Sequence, residues 1–154
     1  MSATAYGWLV LAFPLAGTLL VSLGWRRLPG RSAGWIAASM IGLSFLASIG
    51  ALIQLLGDPV DARQHTSSLY DYASAGGLNI QLNVLVDPLS VFMMLVVSGV
   101  GALIVAYSIG YMDGDDEERR YFAYMALFVF SMLLLVQGGN LLMLLIGWGL
   151  VGLS

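Results

Sequence analysis

The sequence predicts an all-α polytopic membrane protein of about five transmembrane helices, with a small β-hairpin in one of its loops. Hydrophobic residues make up 59% of the chain, charged residues only 10%, and the mean hydropathy is +0.88. The charged residues also fall in clusters that long uncharged stretches separate. A soluble domain needs far more charge on its surface, so the composition favours a chain that crosses the bilayer several times.

Five apolar segments are at or near the ~20 residues that a spanning helix needs. The last two come from one uncharged stretch, residues 121–154, which as a single helix would be roughly 51 Å long against a hydrocarbon core of ~30 Å. The chain must therefore turn, and Gln137–Asn140 supplies the turn. We predict a single membrane domain over residues 1–154, with helices at about 5–23, 33–56, 88–111, 120–136 and 140–154.

The distribution of basic residues predicts the orientation of these helices. All six basic residues are arginines, and five of them fall in the loops 25–32 and 112–120. By the positive-inside rule both loops face the cytoplasm, so the N-terminus lies outside. We expect a multi-pass protein of the cell's inner (plasma) membrane. Aromatic residues such as Trp8, Trp25 and Tyr107 then fall near the two interfaces, as aromatic belts require.

The outer loop, residues 57–83, has a different pattern from the helices. Apolar and polar residues alternate from Leu78 to Val84, which is the period of a half-exposed strand. Ala75–Gly77 can form a turn before this strand, and Tyr70 and Tyr72 suit a partner strand. We therefore predict a small hairpin on the outer surface.

Small residues spaced by four mark the helix faces that can pack closely in lipid. Pro14 inside the first segment should kink it and leave one backbone carbonyl for a neighbouring group to satisfy. We expect these stripes to pack this chain's own helices, because small residues are common at contacts within a helix bundle. Contacts between subunits use similar stripes and are the alternative. The two stripes are Gly34, Ala38, Gly42 and Gly50 in the second segment, and Ser98, Ala102, Ala106 and Gly110 in the third.

The polar residues have structural interpretations. Asp87 could serve a proton relay, but Pro88 follows it, and Asp then Pro is a common helix start. Asp115 and Glu118 have the spacing of a capping box. His65 stands alone in a polar loop, which indicates a surface residue. Four serines in the segments are expected to bond to backbone carbonyls: Ser44, Ser48, Ser98 and Ser131.

Several function classes find no support in the sequence. Without cysteine the chain can form no disulfide, thiolate metal site or thiol nucleophile. It shows no cofactor fingerprint, no phosphate loop and no group of metal ligands, and its net charge of -3 gives no nucleic-acid footprint. We expect no catalytic residue, cofactor or metal in this chain.

Four sequence motifs together resemble one known family. VDPLS at residues 86–90, YSIGYM at 107–112, YFAYMALFVFSMLLLV at 121–136 and NLLMLLIGWGLVGLS at 140–154 are similar to the N-terminal part of the antiporter-like membrane subunit of proton-pumping NADH:quinone oxidoreductase, subunit L or chain 5 of respiratory complex I. The resemblance implies a role in proton transport driven by electron transfer in other subunits. It also implies other membrane subunits and the lipid bilayer as partners, with NADH and quinone bound elsewhere.

One position departs from the family pattern. The resemblance implies a GWE motif in the fifth helix, with its glutamate on the hydrophilic axis that moves protons. Here Gly147 and Trp148 match, whereas Gly149 occupies the glutamate position. At ~1.5 Å per residue from Asn140, Gly149 lies roughly 13 Å below the outer surface, near the middle of the bilayer. Glycine can neither titrate nor pair with a charge.

Two alternatives to this function remain open. The related Mrp-type sodium/proton antiporter subunits share much of the pattern, and an inactive truncated membrane fragment would have only a structural role. The family's later lysine and its second inverted repeat would lie beyond Ser154, so we expect an incomplete antiporter-like fold. The segment 140–154 extends only about 22 Å as a helix, so we expect either a longer native protein or a fifth helix that does not span stably.

Overall fold

The computed structural model describes residues 3–24 and 26–154, and in that range it contains five α-helices and one two-stranded antiparallel sheet. Trp25, assigned above to a membrane interface, lies outside the described residues. The strands β1 (His65–Ala75) and β2 (Leu78–Val86) form a hairpin between the second and third helices. The helices are α1 (Ala3–Leu23), α2 (Gly30–Gly57), α3 (Pro88–Tyr111), α4 (Glu118–Val136) and α5 (Leu141–Leu153). The predicted fold class is therefore confirmed.

Four of these helices are long and apolar enough to cross a membrane. The predicted fifth segment is also helical, but α5 has 13 residues and is shorter than the four candidate spans. At ~1.5 Å per residue it covers about 20 Å of a core that is ~30 Å thick. The structure therefore provides four spans and one shorter apolar helix, where the sequence predicted about five spans.

The bundle is centred on α2, which packs against α1, α3 and α4, while α1 also packs against α4. Fully buried apolar side chains from all four spans form the core between them, among them Val10, Ile41, Met94 and Phe122. In contrast, α5 packs mainly on α4 and makes a smaller contact with β2. The fifth helix thus lies at the side of the bundle.

Some of the small residues in the predicted stripes lie at close contacts between helices, whereas others have no close neighbour. A Cβ added to Gly34 would lie 2.8 Å from the Phe122 ring, and one added to Gly50 would lie 2.5 Å from the Tyr6 ring. These glycines pack the chain's own helices, as predicted. Gly42 and Gly110 have nothing within 4 Å of an added Cβ, so the prediction is wrong at these two positions because no described neighbour covers them.

Pro14 leaves a backbone carbonyl without its helical donor, and α2 supplies the replacement. Because proline has no N–H, the carbonyl of Val10 one turn earlier cannot be paired within α1. The Ser44 hydroxyl donates to this carbonyl at 2.8 Å, and both groups are buried. The expectation that a neighbouring group would satisfy the freed carbonyl is confirmed. The same bond fixes α2 against α1.

The predicted hairpin is confirmed and extends further than its alternating sequence indicated. Gly76 and Gly77 join the strands with φ values of +63° and +87°, the backbone of a type I′ turn. The strand β2 continues to Val86, past the predicted loop end at residue 83. Val84 and Val86 are fully buried against the first turns of α1. The end of β2 is therefore packed into the bundle, whereas the turn at residues 75–77 is exposed, as the prediction of a surface hairpin required.

The two arginine-rich loops lie at the same end of the bundle, opposite the hairpin. Arg31 at the start of α2 approaches Asp113 in the α3–α4 loop at 4.0 Å. The N-terminus of α1 and the hairpin share the other end, where Gly7 contacts Val86. This arrangement agrees with the predicted alternation of the helices, and the positive-inside rule predicts that the arginine end faces the cytoplasm.

The capping box predicted at the start of α4 is wrong. The residue before α4 is Glu117, whose side chain makes no capping hydrogen bond. Asp115 instead accepts the N–H of Glu117 at 2.8 Å. Glu118 turns away and is buried against Gly30 at the N-terminus of α2, where the helix dipole favours a carboxylate. The contact of Glu118 with α2 therefore takes the place of the predicted capping contact with Asp115.

The bond between Ser44 and Val10 should contribute measurably to stability. We expect Ser44→Ala to lower the free energy of unfolding by about 1–2 kcal/mol, because it leaves the Val10 carbonyl unpaired in an apolar environment. Ser48→Ala is the matched control, since the Ser48 hydroxyl is equally buried but donates to the carbonyl of Ser44 in its own helix. Reversible unfolding in bicelles measures both variants. If both variants lost the same free energy of unfolding, the hydrogen bond between helices would contribute no more to stability than one within a helix.

Candidate functional site

The turn between α4 and α5 is the polar junction of the structure. Asn140 precedes α5, and its side-chain oxygen accepts the N–H of Met143 at 2.9 Å, which caps the helix. The amide nitrogen of the same side chain donates to the carbonyl of Gln81 in β2 at 2.5 Å. One side chain therefore starts α5 and attaches it to the hairpin.

A second set of bonds holds the hairpin to the end of α4. The carbonyl of Gln137 accepts the N–H of Leu85 at 2.8 Å, and Val84 pairs with Gly138 as an isolated bridge. The side chain of Gln137 is fully buried next to Gly7. Among the described residues neither of its amide atoms has a hydrogen-bond partner. The sequence located this turn but gave no signal that Gln137 would be buried or that β2 would bind here.

The three residues of the Gly-Trp-Gly motif on α5 have three different environments. Gly147 is buried, and a Cβ added to it would lie 2.8 Å from the backbone nitrogen of Leu135 in α4. Trp148 is 69% exposed and lines an apolar groove of about 440 Å³ with four leucines, Leu135, Leu141, Leu144 and Leu145. Gly149 faces open space, with nothing within 4 Å of an added Cβ.

These environments assign roles to the motif. Gly147 lets α5 approach α4 closely, a packing role typical of glycine in membrane helices. Gly149 makes no such contact, so packing within the described residues does not explain why glycine occurs there. The surface around Gly149 has room for a longer side chain. The assignment of this position to the family's glutamate stays a prediction.

The other polar residues singled out in the sequence have structural partners. Asp87 caps α3 by accepting the N–H of Ser90 at 2.7 Å, with Pro88 at the first helical position, as predicted. His65 is hydrogen-bonded to the Asp58 carboxylate at 2.8 Å, which joins the start of β1 to the end of α2. The described residues contain no group of three or more His, Cys, Asp or Glu that could hold a metal ion.

The buried serines bond to backbone carbonyls, as the sequence predicted. Ser48, Ser98 and Ser131 each donate to a carbonyl four residues earlier in the same helix. Ser44 is the exception, because it reaches the neighbouring helix. The charged residues of the chain lie in loops, in strand β1 (Asp71) or at helix ends. The buried polar groups between the described helices are therefore mainly hydroxyl groups, together with the Gln137 amide and, at the start of α4, the Glu118 carboxyl group.

Comparison with known proteins shows which family this chain is similar to. Residues 72–122 match the family described as NADH-Ubiquinone oxidoreductase (complex I), chain 5 N-terminus. NADH-quinone oxidoreductase subunit L of Mycobacterium tuberculosis is 40% identical over 98% of this chain, and that of Pseudomonas aeruginosa is 37% identical over 94%. The chloroplastic NAD(P)H-quinone oxidoreductase subunit 5 of Mesostigma viride is 32% identical over 99%. The chain spans about a quarter (24%) of the length of these relatives.

The bundle of apolar helices defines a multi-pass membrane protein. Within that class, the chain is related to the N-terminal part of the subunit L, or chain 5, family of NADH-quinone oxidoreductases. The resemblance predicted from its four motifs is confirmed.

The two glycines of the motif should respond differently to substitution. Gly147→Ala places a methyl group against the Leu135 backbone, which cannot move as a side chain can, so we expect the free energy of unfolding to fall by about 1–3 kcal/mol. Gly149→Ala should raise it by about 0.5–1 kcal/mol, because alanine has the higher helix propensity and nothing lies within 4 Å of the added methyl group. Unfolding in bicelles compares the two. A larger loss at position 149 would contradict the open environment of that residue.

The double role of Asn140 can be separated by two substitutions. Asn140→Asp keeps the oxygen that caps α5 but removes the donor to Gln81, whereas Asn140→Ala removes both. We expect losses of about 1 kcal/mol for the first and about 2 kcal/mol for the second, since a cap and a hydrogen bond contribute about 1 kcal/mol each. Amide hydrogen exchange should show faster exchange in the hairpin for both variants. Unchanged exchange in Asn140→Asp would mean that the bond to Gln81 does not hold the hairpin.

Proposed function

We propose that this chain forms the N-terminal helices of the proton-translocating membrane subunit of an NADH:quinone oxidoreductase. Its relatives carry that subunit's name, and they match this chain over 94–99% of its length. This coverage of almost the whole chain, together with the family match at residues 72–122 that contains the Asp87-Pro88 start of α3, is the observation that carries the proposal. The subunit contributes to proton transport that is driven by electron transfer in other subunits.

The partners and location of the chain follow from this proposal. Other membrane subunits of the respiratory complex pack against it, and NADH and quinone bind to subunits other than this one. The lipid bilayer surrounds its exposed apolar surface, and the membrane is the cell's inner (plasma) membrane. The bacterial relatives and the arginine-rich loops support this assignment, because those loops suit a cytoplasmic face.

The chemistry of the bundle supports a scaffolding contribution from these helices. A proton that crosses a membrane passes between titratable side chains or water, and intramembrane acids, lysines and histidines normally provide such a path. The charged residues of the described spans lie in their first turns, and apart from Glu118 at the start of α4 the buried polar groups of the spans are serines and one threonine bonded to carbonyls. An acid, lysine or histidine in the middle of the path would therefore come from outside the described helices.

Substitutions at position 149 test the role in the proton path that the family resemblance implies for α5. In the assembled oxidoreductase we expect Gly149→Glu to raise the number of protons moved per NADH oxidised, because it adds a carboxylate near the middle of the bilayer. Gly149→Gln is the matched control, since it has the same length but cannot titrate. Inverted membrane vesicles report both quantities, with proton uptake followed by a fluorescent dye and NADH oxidation by absorbance. Equal proton yield with Gly, Gln and Glu would remove any role for this position.

A structural role without transport is the second candidate, and it is favoured by the position of the helices' charged residues, which all lie in first turns. In that case deletion of the chain would lower the amount of assembled complex, while Gly149→Glu would leave the proton yield unchanged. An Mrp-type sodium/proton antiporter subunit is the third candidate. Sodium-dependent proton movement without NADH, together with purification free of NADH-oxidising subunits, would identify that function and contradict the proposal.

A further inference from the structure

Backbone hydrogen bonds join the described residues on the two sides of Trp25, between α1 and α2. The N–H of Gly24 donates to the carbonyl of Leu20 at 2.9 Å, and the carbonyl of Gly24 accepts the N–H groups of Arg27 and Leu28 at 2.8 and 2.9 Å. The Leu28 side chain lies over Gly24, where an added Cβ would be only 2.5 Å from its Cδ1 atom. These contacts keep Arg27 and Leu28 next to the end of α1.

Directly beside this turn lies a groove of about 600 Å³ that opens outwards. Its apolar lining comes from both helices and from the turn: Leu20 and Leu23 of α1, Leu28, and Ile36 of α2. Leu20 is 49% exposed and Leu23 is 85% exposed. Arg26 and Arg27 complete the lining where the helices end. The groove thus combines an apolar floor with two positively charged residues at the ends of two candidate spans.

The charges of Arg26 and Arg27 are not neutralised within the described part of the chain. Neither arginine forms an ion pair with an acid there. Other arginines at the same end are paired: Arg31 approaches Asp113 at 4.0 Å, and Arg120 approaches Glu117 at 3.9 Å. Arg120 also lies 5.5 Å from the centre of the Tyr124 ring. Arg26 and Arg27 are therefore available to pair with an anion from outside this chain.

We propose that this groove binds one anionic phospholipid, with its phosphate on Arg26 and Arg27 and an acyl chain along Leu20, Leu23 and Ile36. Arginine suits this role because its planar guanidinium can donate two parallel hydrogen bonds to one phosphate. Basic pockets between helices on the cytoplasmic side are known to bind anionic headgroups. A soluble anion would use the arginines but would gain nothing from the apolar floor. The occupant is therefore a lipid, whatever transport the complete subunit performs.

Native mass spectrometry of the purified protein with an equal mixture of phosphatidylglycerol and phosphatidylcholine tests this site. Each arginine near the surface contributes about fivefold in affinity, so Arg26→Gln/Arg27→Gln should lower the preference for phosphatidylglycerol by about 30-fold. Arg31→Gln/Arg120→Gln removes the same charge from paired arginines and is the matched control. It should lower the preference by less than about threefold, because those charges are already partly neutralised.

Three results would overturn the proposal. Equal losses in the two double variants would mean a general effect of surface charge, and an unchanged preference in Arg26→Gln/Arg27→Gln would mean that the lipid binds elsewhere. Competition by inorganic phosphate as effective as that by phosphatidylglycerol would mean a site for soluble anions. Thermal unfolding in phosphatidylcholine alone checks that the variants fold. As a second measurement, Leu23→Ser with both arginines intact should weaken phosphatidylglycerol binding, and no change would exclude contact with the acyl chain.

Discussion

The need to pair every backbone group away from water governs this structure. Lipid offers no hydrogen bonds, so an unpaired carbonyl costs several kcal/mol there. Pro14 creates such a carbonyl at Val10, and Ser44 from α2 pairs with it. The α1–α2 contact is thus both apolar and directional, because the hydroxyl sets the rotation and the depth of α2 relative to α1. Helices that depended on apolar contact alone would lack this constraint.

The same rule explains how the hairpin and the fifth helix are attached. The strand β2 ends inside the bundle, where Leu85 donates to the carbonyl of Gln137 and the Asn140 side chain donates to the carbonyl of Gln81. These bonds pair backbone groups that loops would otherwise leave free at the membrane surface. They place the start of α5 next to the hairpin, and Gly147 then brings α5 against α4. The Gly-Trp-Gly motif is therefore held by polar bonds at one end and by close packing along its length.

The two ends of the bundle differ in chemistry. The hairpin end is closed by buried valines and amide groups, whereas the other end carries arginines and acids. At the arginine end Glu118 is 5% exposed and lies against the first residue of α2. Arg31 of α2 also approaches Asp113 in the α3–α4 loop. Arg26 and Arg27 remain available, which makes the α1–α2 turn the part of this end best suited to an anionic lipid headgroup.

The sequence by itself determined the helices, the hairpin and the start of α3, because apolar length, period-two alternation and the Asp87-Pro88 cap are local properties. It also placed Gly149 within an apolar helix that lacks a titratable group. Only the tertiary structure decided that Ser44 pairs with Val10 and that Gln137 is buried. It also decided that the Glu118 side chain packs against Gly30 instead of capping α4, and that Gly42 and Gly110 have no close neighbour. These outcomes depend on which helix surfaces pack against each other, and that packing is determined by residues far apart in the sequence.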